Sequence, residues 1–205
     1  MLSLSHKFLF VHIPKTGGNS IQKILQPYSE DQIVTLPMQD GKERFEVRGR
    51  FTRNKHATLA DYNAQVPSEL FAQLFKFCAV RNPWSRAISF YFTPRRWMRR
   101  GISPYWSRDD FLELLPQLPP MVDYLKIDGR IHSLAGIIQY ENLTEQLPAV
   151  LGRVGLKIDG GQLPHLNRSL AGDYRSYFEA DQDLVDLVAE RYREDIAYFG
   201  YQFED

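Results

Sequence analysis

Residues 12 to 21, HIPKTGGNSI, bring together one cation, two glycines and several neutral hydrogen-bond donors. Glycines between an apolar run and a helix let the backbone approach a ligand, and a helix start offers N–H groups and the positive end of a dipole. Such a loop takes phosphate or sulfate, with Lys15 as a mobile point charge and Thr16, Asn19 and Ser20 as neutral donors beside Gly17 and Gly18. A plainer reading also fits: the glycines permit a tight turn and Ser20 caps the helix. In a triphosphate loop, G-x-x-x-x-G-K-[ST], the lysine follows the glycines. Here Lys15 precedes them, so its charge enters from the strand side and fewer residues remain to wrap a triphosphate.

A second constellation is RNPWSRAISFYF, residues 81 to 92. Arg81 stands at the end of an apolar run, Ser89 lies within the next helical pattern, and Arg86 is three residues from Ser89, on one helix face. A guanidinium and a hydroxyl at the carboxyl edge of a parallel sheet suit a second phosphate, although solvated arginines and a water-facing serine fit the same pattern. The five histidines are scattered without ligand spacing, so no metal site is expected. A general base that deprotonates a hydroxyl is most readily a histidine, and His56, in an irregular segment, is the candidate; the alternative is a surface histidine beside Lys55. His12 reads as structural, Glu141 as a helix-start carboxylate, and His6 and His132 carry no reading. PRRWMRRG, residues 94 to 101, sets four arginines around Trp97, as a solvated basic face or as a surface for an acidic or sugar-containing acceptor.

The elements that must position these groups follow from hydrophobic period. Residues 7 to 13 read as a buried strand ended by Pro14, and Ile21, Ile24, Leu25 and Tyr28 recur at helical spacing. The same unit returns as a strand over 76 to 81 and a helix opened by Pro83, preceded by a helix over 68 to 75. Further helices are expected over 107 to 118, 142 to 154 and 181 to 199, with a strand over 134 to 140. Apolar strands alternating with helices predict a three-layer α/β fold, a parallel central sheet flanked by helices. Segments 29 to 66, 93 to 106 and 157 to 178 lack such period and read as lids or binding loops.

The 205 residues suit one domain spanning 1 to 205, and no internal repeats are evident. Lysine plus arginine number 25, as do aspartate plus glutamate, so the chain lacks the basic excess of a nucleic-acid binder. Cys78, the single cysteine, sits in the apolar run FKFCAV and reads as buried. The first apolar stretch is far shorter than the ~20 residues that span a bilayer and has no basic leader, so no integral membrane segment and a cytoplasmic location are expected.

Taken as a pair, IPKTGGNSI and AVRNPWSRAISFYF resemble the sulfotransferases that use 3′-phosphoadenosine 5′-phosphosulfate (PAPS), particularly the carbohydrate-directed group. KHATLADY at 55 to 62, QYENL at 139 to 143, LPHLNRS at 163 to 169 and the ending YREDIAYFGYQF extend the likeness over most of the chain. The resemblance implies a P-loop-like fold in which Lys15, Thr16, Gly17, Gly18, Asn19 and Ser20 hold the 5′-phosphosulfate and Arg81 and Ser89 the 3′-phosphate. It further implies that His56 is the base and that the segment with His165, Asn167, Arg168 and Ser169 closes over the nucleotide. Adenosine 3′,5′-bisphosphate would be the product, the acceptor a hydroxyl on a carbohydrate or glycoconjugate, and no metal would be required. Family members of the secretory pathway usually carry a membrane anchor, and this chain looks more like a soluble bacterial-type member. Two rivals remain at this point: an ATP- and Mg²⁺-dependent P-loop kinase or phosphotransferase, and a nucleotide-binding module without turnover. Oligomeric state is not legible.

Overall fold

The computed structural model describes residues 1–35, 45–95, 103, 105–158 and 172–205, without the side chains of Pro94 and Arg95. In chain order they form β1 (Leu2–Ser3), β2 (Phe8–Val11), α1 (Gly18–Leu25), β3 (Gln32–Thr35), β4 (Phe45–Arg48), α2 (Leu59–Gln65), α3 (Ser68–Gln73), β5 (Phe75–Val80), α4 (Pro83–Arg95), α5 (Arg108–Leu114), β6 (Lys126–Ile127), β7 (Arg130–Ile131), β8 (Gly136–Gln139), α6 (Leu143–Gly152), α7 (Gln182–Arg191) and α8 (Arg193–Phe199). These group into two compact units, Met1–Val80 with Asp123–Asn167, and Arg81–Val122 with Arg168–Asp205.

The first unit is built on a sheet of order β1-β2-β5-β8. β2, β5 and β8 run parallel, with Phe10 opposite Phe77 and Phe77 opposite Gly136, while β1 is antiparallel to β2. Strands buried on both faces read as continuous apolar runs, and all four residues of β2 are buried. Side chains alternate by face. Phe8, Phe10, Phe77, Ala79 and Ile138 form one core with Ile21 and Leu25 of α1 and Leu147 and Leu151 of α6. Each of these aliphatic side chains contributes roughly 2 kcal/mol by leaving water. Leu9, Val11, Cys78 and Val80 alternate with them and are also buried. The result is a mixed α/β architecture with a partly parallel central sheet flanked by helices, as the alternation of elements predicted.

The segment 29 to 66 is more regular than its sequence implied. β3 and β4 pair antiparallel, and α2 begins on a capping box in which Thr58 Oγ1 accepts from the Asp61 N–H (3.1 Å) and Asp61 Oδ2 from the Thr58 N–H (2.7 Å). That box fixes the chain immediately after His56.

In the second unit, Trp84, Ala87, Ile88, Tyr91 and Phe92 of α4 pack with Phe111 of α5 and with Leu184, Val188 and Tyr192. Asn82 opens α4: its Oδ1 accepts from the N–H groups of Trp84 (3.1 Å) and Ser85 (3.2 Å), and its Nδ2 donates to the Gln202 carbonyl (2.8 Å). The carboxylate of Asp195, fully buried, accepts from the N–H groups of Met121 and Val122, each at 2.8 Å. The helix expected over 181 to 199 is two helices, α7 and α8, that meet at Tyr192, where φ is −108° and ψ is 24°. Tyr192 is buried and donates its hydroxyl to the Leu118 carbonyl (3.0 Å), so its anchoring sets the break.

Candidate functional site

β2 delivers the chain into the lysine-glycine loop. β2 ends at Val11, His12 and Ile13 beyond it stay buried, and Lys15 then adopts φ 71°, a left-handed conformation that costs a non-glycine residue about 1–2 kcal/mol. Strain of this kind concentrates at ligand-binding turns. Gly17 is the N-cap of α1 at φ 82°, and no side chain caps it. Gly18 faces a different constraint: a Cβ there would stand 2.0 Å from Cδ2 of His12. The glycine pair thus serves a left-handed turn and a close approach to an imidazole.

The loop's polar groups divide by task. Thr16 is buried and donates its hydroxyl to the Ile13 carbonyl (2.9 Å), so its side-chain proton braces the loop from within. The Ser20 N–H donates to the Gly17 carbonyl (3.0 Å), which commits it to the first helical turn. The first turn of α1 contains no acidic residue, so the positive end of the helix dipole is unopposed there. Tyr140, from QYENL, packs over the turn, and a Cβ on Gly17 would lie 3.0 Å from its Cδ2. Glu141 beside it is exposed in a short helical turn, in keeping with a helix-start carboxylate.

His56 lies against this loop in the same unit. Its Nδ1 donates to the His12 carbonyl (3.0 Å), its ring centroid is 4.4 Å from that of His12, and its own N–H donates to Asn54 Oδ1 (2.9 Å). A carbonyl only accepts, so Nδ1 holds a proton, and in its neutral form the ring carries its lone pair on Nε2. His12 Nδ1 donates to Oε1 of the buried Gln22 on α1 (2.9 Å). Burial first, and then the neighbouring His56 and Lys55, hold His12 well below the usual histidine range, so its ring stays neutral. His12 is buried, although it stands just past the end of β2 and not on the strand expected over 7 to 13. Its contact with a residue 44 positions away has no signal in the sequence.

The arginine-serine element belongs to the second unit. Arg81 Nε donates to Ser85 Oγ (3.0 Å), and Ser89, buried, lies one further turn along α4. Arg81, Ser85 and Ser89 therefore form a row at i, i+4 and i+8, with Ser85 the member that sequence reading passed over. Arg86 is a brace, buried at 1% exposure with Nη1 donating to the Pro119 carbonyl (2.9 Å). His165, Asn167, Arg168, Ser169, the run 96–101 and the Arg95 side chain lie outside the described residues.

A family model described as the sulfotransferase family matches residues 1–105. The chain belongs to that family. Membership makes it a transferase that moves a sulfate group from a donor to an acceptor. The matched stretch holds the Lys15 loop, His56, Arg81 and Ser89, and it ends before QYENL and LPHLNRS. Neither the curated proteins nor the solved structures contain a match to this sulfotransferase-family chain. Among its described residues, no helix is long and apolar enough to cross a membrane.

Proposed function

We propose that the chain transfers the sulfuryl group of PAPS to a hydroxyl acceptor on a sugar or glycoconjugate. The observation that carries this reading is the strained lysine-glycine turn opening α1 beside a histidine whose tautomer leaves Nε2 basic. A short cradle with one lysine ahead of it matches a single phosphate joined to a sulfuryl group better than a triphosphate.

Sulfuryl transfer, like phosphoryl transfer, needs alignment of acceptor, sulfur and leaving oxygen more than covalent chemistry. Lys15 and the main-chain N–H groups of the loop would stabilise charge on the leaving phosphate. Residues 16 to 19 supply these groups, because the Ser20 N–H is committed to the helix. Thr16 contributes its main chain, its hydroxyl being committed to Ile13. His56 Nε2 would take the proton of the acceptor hydroxyl. Arg81 and Ser89 would hold the 3′-phosphate that separates this donor from ATP, with Asn167, Arg168 and Ser169 over the nucleotide. Adenosine 3′,5′-bisphosphate is already a good leaving group, so the reading requires no metal. A three-layer P-loop-like fold, one domain over 1 to 205 and a cytoplasmic location belong to the same proposal. The chain passes between its two units after residues 80, 122 and 167, which favours one domain over two independent ones.

The test is calorimetry, without metal, of adenosine 3′,5′-bisphosphate against ATP on wild type, Lys15→Ala and Arg81→Ala. The bisphosphate should bind more tightly than ATP, and each substitution should weaken it about tenfold or more, the scale of a lost charge-assisted hydrogen bond. Tighter binding of ATP would sink the donor assignment. Bisphosphate binding with no acceptor-dependent release of bisphosphate from PAPS would leave a binding module instead of an enzyme.

A further inference from the structure

His12 has no part in the chemistry above, yet it touches His56, Gly18 and Gln22, one residue each from the base segment, the loop and the helix. We propose that His12 is a positioning residue: its imidazole, packed at a tilt against His56, wedged against Gly18 and tied to Gln22, holds the base and the anion loop in one fixed register. The proposal rests on the assignment of His56 and the Lys15 loop made above.

Three contacts carry it. The His12 and His56 rings lie 4.4 Å apart at 55°, so the place of one ring limits that of the other. The His12 ring also fills the space a Cβ on Gly18 would need, down to 2.0 Å, so the loop backbone rests on the imidazole itself. Its Nδ1 is bonded to Gln22 Oε1 at 2.9 Å, which fixes ring rotation from one turn inside α1. The base and the helix that opens the anion loop are therefore joined through one side chain.

A purely structural role accounts poorly for these residues. Gln22 is fully buried and its Nε2 is without a hydrogen-bond partner among the described residues, a penalty of about 1–3 kcal/mol that an apolar side chain would avoid. Phe10 stacks on His12 from the strand side at 6.0 Å, and an apolar residue at position 12 would pack there without an orphaned amide. Sites that violate packing economy in this way are characteristically functional. The titratable groups near His12 are His56, Lys55 and the α-amino group of Met1, and the charged form of each opposes its protonation. A neutral His12 leaves His56 as the member of the pair that accepts a proton.

The experiment uses the full chain with His12→Ala, Gln22→Met and Gly18→Ala, read by long-range ¹H–¹⁵N spectra of the imidazoles and by calorimetry with adenosine 3′,5′-bisphosphate. Wild type should show His56 protonated at Nδ1. In His12→Ala and Gln22→Met the His56 signals should move to a mixture of tautomers, bisphosphate affinity should fall about tenfold, and kcat should fall about a hundredfold, the scale of a 1 Å misplacement. Gly18→Ala should be as damaging, and adding His12→Ala to it should restore part of the bisphosphate affinity by vacating the clash. Gln22→Met relieves an orphaned donor, so it should fold and carries the test if His12→Ala does not. An unchanged His56 tautomer and unchanged bisphosphate affinity in Gln22→Met would overturn the proposal. Should wild type bind no bisphosphate, the donor reading fails, while the tautomer measurement still decides the role of His12.

Discussion

At the scale of residues, the candidate site joins an expected cation to an unexpected imidazole pair. The turn itself was legible because paired glycines between an apolar run and a helical period mark a tight strand-to-helix junction. The partnership of His12 and His56 was not legible, since 44 residues separate them and a ring contact leaves no local pattern. Ser85 was legible from its spacing of four from both Arg81 and Ser89, whereas Arg86, three from Ser89, proves to be a buried brace. One prediction is set by the depressed pKa of His12. The unfolded chain takes up a proton on this ring near its ordinary value of about 6.5, whereas the folded chain does so only well below it. The unfolded state therefore binds more protons in that window, and stability must fall as pH drops below about 6.5. Thermal unfolding should show a decline in Tm between neutral and mildly acid pH that is reduced in His12→Phe; an identical decline in that variant would exclude His12 as its source.

At the scale of elements, what was legible follows burial. β2, β5 and the helices after them announce themselves because parallel strands buried on both faces become uninterrupted apolar runs, and β8 shares the apolar run although Ile137 is exposed. β3, β4 and α2 escaped notice because each is short, and because residue types alternate or are polar in strands with exposed or half-buried positions. The capping box Thr58-x-x-Asp61 was the missed signal. Thr58→Ala should lower stability by about 1 kcal/mol, the usual worth of an N-cap, visible as a lower urea midpoint with unchanged slope. The break between α7 and α8 was hidden for a different reason: apolar spacing runs straight through Tyr192, and only its hydroxyl bond to Leu118 reveals the stop. Asp195 on α8 is worth more than its position in an acidic, outwardly ordinary sequence implies. Asp195→Ala should cost about 3 kcal/mol or more by stranding the N–H groups of Met121 and Val122, whereas Asp195→Asn should keep one acceptor and lose less. Equal losses in chemical denaturation would argue against the pairing as the cause.

At the scale of the whole molecule, the segment that matches the family does not coincide with a folding unit. Residues 1–105 include β2 and β5 but omit β8 and α6, which contribute Ile138, Leu147 and Leu151 to the core around Phe10 and Phe77. Expressed alone, that segment should lack cooperative thermal unfolding and show poorly dispersed amide resonances; a well-dispersed spectrum would mean that β8 and α6 are dispensable. A last consequence comes from Cys78. The sole sulfhydryl of the chain sits on β5, an interior strand of the sheet, fully enclosed, and burial pushes its ionisation well above the usual thiol range. Alkylating or disulfide reagents can reach it only when neighbouring strands part, so the rate of labelling counts openings of the sheet one molecule at a time. Nature has left a stopwatch in the core, and donor binding to the loop at the end of β2 should slow it.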